Sequence, residues 1–134
     1  MSCVLDASAT LSFVLADEFT PTSERILDHV INFGAVVPAI WTCEVTNGLL
    51  SALRRGRLTE QGVAHALVAL DRLPIERSAS QPASGELIGL ARFFELSTYD
   101  ASYLWLAQFR DSPLATLDQR LVQVAPSAGV ELLN

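Results

Sequence analysis

The sequence predicts an α/β domain with a mostly parallel central sheet of four or five strands and helices on both faces. Three observations predict it. Short apolar runs alternate with longer segments of helical period, the pattern of strands joined by helical crossovers. Two of those runs, Val4-Leu5 and Leu114-Ala115-Thr116-Leu117, end in a carboxylate, Asp6 and Asp118, as strands of open α/β sheets do where ligands bind. The chain has 134 residues, the length of one domain able to bury a core without staples, so one domain over 1–134 is expected.

Taken in order, the apolar run closed by Asp6 reads as a buried first strand. Ala7 to Ala16 reads as a short helix with Leu11, Val14 and Leu15 on one face, closed by Asp17-Glu18. Thr20-Pro21 is a cap and first-turn pair, opening a helix through Ile26, Leu27, Val30 and Ile31 to Gly34. Ala35-Val36-Val37 is a second strand, stopped by Pro38. Residues 39–55 form the clearest helix, with Trp41, Val45, Leu49, Ala52 and Leu53 in one stripe and Glu44 on its flank. After Arg54-Arg55-Gly56-Arg57, Thr59 caps another helix and Leu58 staples against Val63, so two antiparallel helices are expected.

Leu73-Pro74-Ile75-Glu76 can only be an edge strand, because proline cannot donate to a ladder. Pro82 should start a helix carrying Leu87, Leu90, Ala91 and Phe94. Ser97 to Asp100 interrupts it, and Ala101 to Arg110 continues with Leu104, Trp105 and Ala107. The strand ending at Asp118 is followed by a short helix at Leu121, Val122 and Val124, then by a last strand at Val130 to Leu133. There is no internal repeat, glycine-rich phosphate loop or low-complexity segment.

Composition narrows the setting. Half the residues are hydrophobic and 18% are charged, which excludes disorder and leaves apolar surface for a partner or an oligomer. Cys3 and Cys43 lie in a strand and a helix pattern, so free buried thiols in a reducing compartment are expected. The first residues carry no basic segment, and no apolar run approaches the roughly 18 residues of a membrane span, so a cytoplasmic protein without membrane contact is expected. The net charge of −6 comes with nine arginines and no lysine. That sign decides little about nucleic acid, since four of the acids would be neutralised if they held metal.

Those four are Asp6, Glu44, Asp100 and Asp118. Taken singly, each aspartate could be an ordinary helix cap. Glu44, beside Ile40, Trp41 and Gly48, would be partly buried and needs a partner. Together they differ from chance, because two end strands and two begin or flank helices that a parallel sheet brings to the same end. Clustered carboxylates repel, and a hard divalent cation neutralises them most simply. Magnesium or manganese prefers oxygen ligands, keeps several waters and takes one or two carboxylates directly, so one or two ions would suit. No histidine or cysteine cluster competes for zinc.

Val4-Leu5-Asp6-Ala7-Ser8, Glu44 with Asn47, Tyr99-Asp100-Ala101-Ser102-Tyr103 and Ala115-Thr116-Leu117-Asp118, in this order, resemble the acidic pattern of PIN domains. Length and helix order are similar to VapC-type ribonuclease toxins of toxin–antitoxin modules, and the resemblance spans the whole chain. It implies Mg2+- or Mn2+-dependent hydrolysis of an RNA phosphodiester by water, with a 3′-hydroxyl leaving. It implies Asp6, Asp100 and Asp118 as metal ligands and Glu44 as a ligand or the base that orients water. Ser8 and Thr116 would bond a carboxylate or a phosphate oxygen, although a local turn bond suits Ser8 as well. Asn47 would orient Glu44 or meet the RNA backbone. The implied partners are RNA, a cognate antitoxin, and a second copy in a homodimer or a toxin–antitoxin hetero-oligomer.

Other groups read as structural. Arg54, Arg55 and Arg57 could meet phosphates, but cations at a helix C-terminus also complement its dipole and stay solvated, which is the reading preferred here. His29 and His65 have no ligand partners at metal spacing. Trp41, Phe93, Phe94 and Trp105 fall at helical spacing and are expected in the core. A receiver domain would need a lysine, and a haloacid-dehalogenase-type phosphatase a second aspartate where Ser8 stands. A PIN-like binding module without catalysis is the remaining alternative.

Overall fold

The computed structural model describes residues 1–133. Its elements are β1 (Cys3–Leu5), α1 (Ala7–Val14), α2 (Pro21–Phe33), β2 (Ala35–Val37), α3 (Ile40–Arg54), α4 (Glu60–Asp71), β3 (Ile75–Arg77), α5 (Ser84–Phe94), α6 (Thr98–Arg110), β4 (Leu114–Ala115) and α7 (Gln119–Val124), with a 3₁₀ turn at Pro126–Ala128. The strands form one sheet in the order β3-β2-β1-β4, every neighbour parallel. Two crossovers step from β1 to β3 in one direction and the third returns to β4. Right-handed connections therefore put α1 to α4 on one face and α5 and α6 on the other.

β1 and β2 are buried on both sides, which is why they are continuous apolar runs rather than alternating ones. Helix α2 starts as its sequence suggests, with the Thr20 hydroxyl accepting from Ser23 N, Ser23 returning the bond, and Pro21 in the first turn. α1 and α3 pack unusually closely. A Cβ added at Gly48 would stand 2.4 Å from Leu11 Cδ1, so the absent side chain is what lets Leu11 seat against α3. Trp41 ties the same pair by donating its indole N–H to Thr10 Oγ1 at 2.9 Å.

Several expectations need correction. Helix α1 stops at Val14, two residues early, and α5 begins at Ser84, with Pro82 outside it. The edge strand is present but shifted to Ile75–Arg77; Pro74 stays outside the ladder and only lends its carbonyl to Ala35 N. β4 has two residues rather than four, because the chain turns away at Thr116. Among the described residues the last strand reduces to a parallel bridge, Leu114 with Leu132, in which Leu114 N donates to Glu131 O and Leu133 N to Leu114 O.

Cys43 is exposed, on the outward side of α3, while Cys3 is buried in the sheet and burial pushes its thiol up to about 11. Phe93 is 80% exposed, since its neighbour Phe94 takes the inward position on α5. Arg57 is not simply solvated: it pairs with Asp17 and Glu18, pinning the α3–α4 turn to the end of α1. Among the described residues no helix is long and apolar enough to cross a membrane.

Candidate functional site

Because all four strands run the same way, their carboxyl ends line one edge of the sheet. Asp6 is the first residue past β1 and is 3% exposed. Its backbone N–H still pairs with Ala115 O, so it sits in the ladder while its side chain caps α1. Oδ1 accepts from Ala9 N at 2.9 Å and from the Ser8 hydroxyl at 2.7 Å, and Oδ2 accepts from the Thr116 hydroxyl. Ser8 Oγ in turn accepts from Leu117 N, and Thr116 Oγ1 from Asp118 N, both at 3.0 Å. A bonded loop thus joins the end of β1 to the residues that leave β4.

Burial nevertheless dominates the chemistry of Asp6. Loss of water raises its pKa to about 6, three hydrogen bonds oppose the rise, and the Asp118 charge adds to it. Among the described residues no cation pairs with it. A buried carboxylate left without a counter-charge is costly at neutral pH.

Asp118 both caps α7 and faces the site. Oδ1 takes the N–H groups of Arg120 and Leu121, at 2.8 and 3.3 Å. Asp100 is not a cap: Ser97 caps α6 by accepting from Asp100 N at 3.0 Å, which places Asp100 in the first turn. Partial burial raises the Asp100 pKa, and the charges of Asp118 and then Glu44 raise it further. Glu44 is half-buried on α3, where Oε1 accepts from Tyr103 Oη at 2.5 Å.

The acids therefore act on one another in sequence: Asp118 on Asp6 and Asp100, and Glu44 on Asp100. The linkage is a series, Asp6 to Asp118 to Asp100 to Glu44, and not four mutually coupled charges. Among the described residues no three histidine, cysteine, aspartate or glutamate side chains close around a single point. The donor set is all oxygen, four carboxylates with two hydroxyls behind them. It fits a hard divalent ion that takes one or two carboxylates directly and completes its shell with water.

The family model of the PIN domain matches residues 3–126. The chain belongs to the PIN domain family. Ribonuclease VapC3 of Pyrobaculum aerophilum is similar to this PIN domain, 27% identical over 129 residues that cover 95% of this chain and 97% of that protein. The crystal structure of PAE2754 from Pyrobaculum aerophilum has the same fold, with a TM-score of 0.64 and 21% identity over 92% of this chain and 85% of that one.

Two residues of this PIN domain were not singled out for the site from sequence. Tyr103, 1% exposed, holds Glu44, one of the two tasks considered for Asn47. Burial and then Glu44 raise the phenol pKa, so it stays protonated and donates. Asn47 is exposed one turn further along α3. Ser97 is the second, taking the capping role that an aspartate three residues later could have claimed. The Ser-x-x-Asp spacing at 97–100 carried that signal; no local pattern carried the pairing of residues 44 and 103.

Proposed function

We propose that this PIN domain is a metal-dependent endoribonuclease that hydrolyses RNA phosphodiester bonds and serves as the toxin of a toxin–antitoxin pair. The observation that carries this reading is Asp6: buried, bonded by three donors, lacking a cationic partner, and in the field of Asp118, which also acts on Asp100. Such a site gains from a doubly charged ion and from little else. The name of the VapC3 relative supports RNA as substrate and the toxin role.

A bound Mg2+ or Mn2+ would supply charge to offset the phosphate and would acidify a water molecule. Asp6, Asp100 and Asp118 would hold it. Ser8 and Thr116 fix both oxygens of Asp6, so that carboxylate presents one orientation. With Oε1 occupied by Tyr103, Glu44 offers Oε2 as a ligand or as the base that orients the attacking water. Water would add to phosphorus and give its proton to solvent or to Glu44, while the P–O3′ bond breaks and the 3′-oxygen takes a proton from solvent to leave as a hydroxyl. Asn47, exposed one turn beyond Glu44, would meet the RNA backbone.

For the antitoxin, the α3–α4 face offers an apolar groove at Leu49, Leu50, Leu53, Val63 and Leu67, suited to an amphipathic helix. The exposed Ile88, Phe93 and Phe109 on α5 and α6 give a second copy a surface to cover. The test is incubation of partner-free protein with structured RNA and Mg2+ or Mn2+, beside Asp6→Asn, Asp100→Asn and an EDTA control. Cleavage by the wild type alone, abolished by EDTA, is expected. Equal cleavage by all three proteins would point to a contaminant and overturn the reading.

A further inference from the structure

Beside the acids, along the same edge of the sheet, lies a hollow of about 410 Å³ over the ends of β2 and β3. Its volume falls within the range of roughly 300–1,000 Å³ typical of small-molecule sites. Buried Pro38 and Trp105 and half-buried Ile40 and Leu87 give it an apolar floor, and exposed Gln81 and Ser84 stand at its rim. None of the four acids lines it, but it shares helix α3 with one of them. The lining residue Ile40 is one turn before Glu44 and on the same face of α3.

We infer that this hollow is a nucleobase pocket that holds a base of the RNA next to the bond being cut. The inference rests on the nuclease reading above and names what that site reads. No charged side chain lines the hollow, so it suits the flat, uncharged part of a nucleotide and not its phosphate. The neighbouring carboxylates would repel a second phosphate. The amide of Gln81 and the hydroxyl of Ser84 can each donate or accept toward base edges. A second hollow of about 340 Å³, lined by Thr20, Gln119 and Leu132 among others, includes Thr116 on the other side of the acids. An RNA strand running from one hollow to the other crosses the carboxylates. Three of the nine arginines, Arg57, Arg110 and Arg120, are engaged with Asp17 and Glu18, Glu76 and Glu95, which leaves the other six for phosphates outside the hollow.

The test has two arms. In the first, the full chain without metal is titrated with adenosine, guanosine, cytidine and uridine while NMR follows the Trp105 indole N–H and the Ile40 methyls. At least one nucleoside is expected to shift both signals saturably, ribose neither, and Ser84→Trp, which fills the hollow from its exposed rim, is expected to weaken binding ~10-fold. Leu87→Ala, which widens the floor, provides a second variant with the same expectation. In the second arm, a random-sequence RNA is cut in Mg2+ and the ends are sequenced. The wild type is expected to favour one base at a fixed distance from the cut, and Ser84→Trp to lose that preference while Mn2+ affinity stays unchanged. Silence of Trp105 and Ile40 toward all four nucleosides overturns the pocket, even if Asp6-dependent cleavage persists. Saturable shifts without any cleavage keep the pocket and overturn the nuclease reading.

Discussion

The strand-borne acids and the helix-borne acids of this site are held in different ways. Asp6 and Asp118 belong to a closed circuit of hydrogen bonds through Ser8, Thr116 and two backbone N–H groups, which spans about 110 residues of chain. Glu44 and Asp100 ride on the sides of α3 and α6, and their placement follows from how those helices pack. One half of the site is set by bonding and the other by shape. The first should be chemically stiff and electrostatically strained, the second adjustable.

The hardest blow to the bonded half is Asp6→Asn, expected to reduce RNA cleavage by roughly 10³-fold, because the several kcal/mol supplied through a bound ion disappear with its ligand. The circular dichroism spectrum should be unchanged, since asparagine caps helices as well as aspartate does. Retained cleavage would remove the bonded half from the chemistry.

Next comes Thr116→Val, which leaves Oδ2 of Asp6 and the N–H of Asp118 without their partner. A loss of about 1–3 kcal/mol in urea unfolding is expected. On the packed half, Tyr103→Phe should lower cleavage about 10-fold, as loss of an orienting partner does, with little change in stability. If Tyr103→Phe proved as damaging as Asp6→Asn, the distinction between the two halves would fail.

Stability against pH gives a subtler contrast. The Asp6 pKa is raised on folding, from 3.8 to about 6, so the folded state binds this proton more tightly than the unfolded chain. Its contribution is therefore fully present below about pH 4 and is lost as pH rises through about 6. The loss is on the order of 2–3 kcal/mol in metal-free protein. Thermal melts in EDTA should show Asp6→Asn more stable than wild type at pH 7.5 and the gap closing at pH 4; added Mn2+ should restore the wild type. The smallest effect is expected from Arg57→Ala, whose exposed ion pairs lie outside both halves, with cleavage unchanged.

The bonded half was also the more legible one. An apolar run followed at once by an acid is a local signal, and it read correctly at Asp6, whereas β4, half as long as expected, ends at Ala115 and leaves Asp118 three residues further on as the cap of α7. The length failed because Thr116 leaves the ladder to bond Asp6, a long-range demand that a period-2 pattern does not carry. Helix-borne residues were harder. Spacing placed Glu44 on the flank of α3, but its partner lies 59 residues away. Phe93 was misplaced for a different reason: the stripe of Leu87, Leu90, Ala91 and Phe94 leaves it out, and only its aromatic character had put it in the core. The last strand failed because a lone bridge to Leu114 satisfies that stretch of backbone.

Gly48 works as a spacer gauge. With only a hydrogen at that position, Leu11 can lie against the helix that carries Glu44 while its own helix begins at the Asp6 cap. The separation of α1 from α3 is thus calibrated by an atom that belongs to neither half. Stepping residue 48 through alanine, serine and valine would spread α1 from α3 by graded amounts without touching a carboxylate.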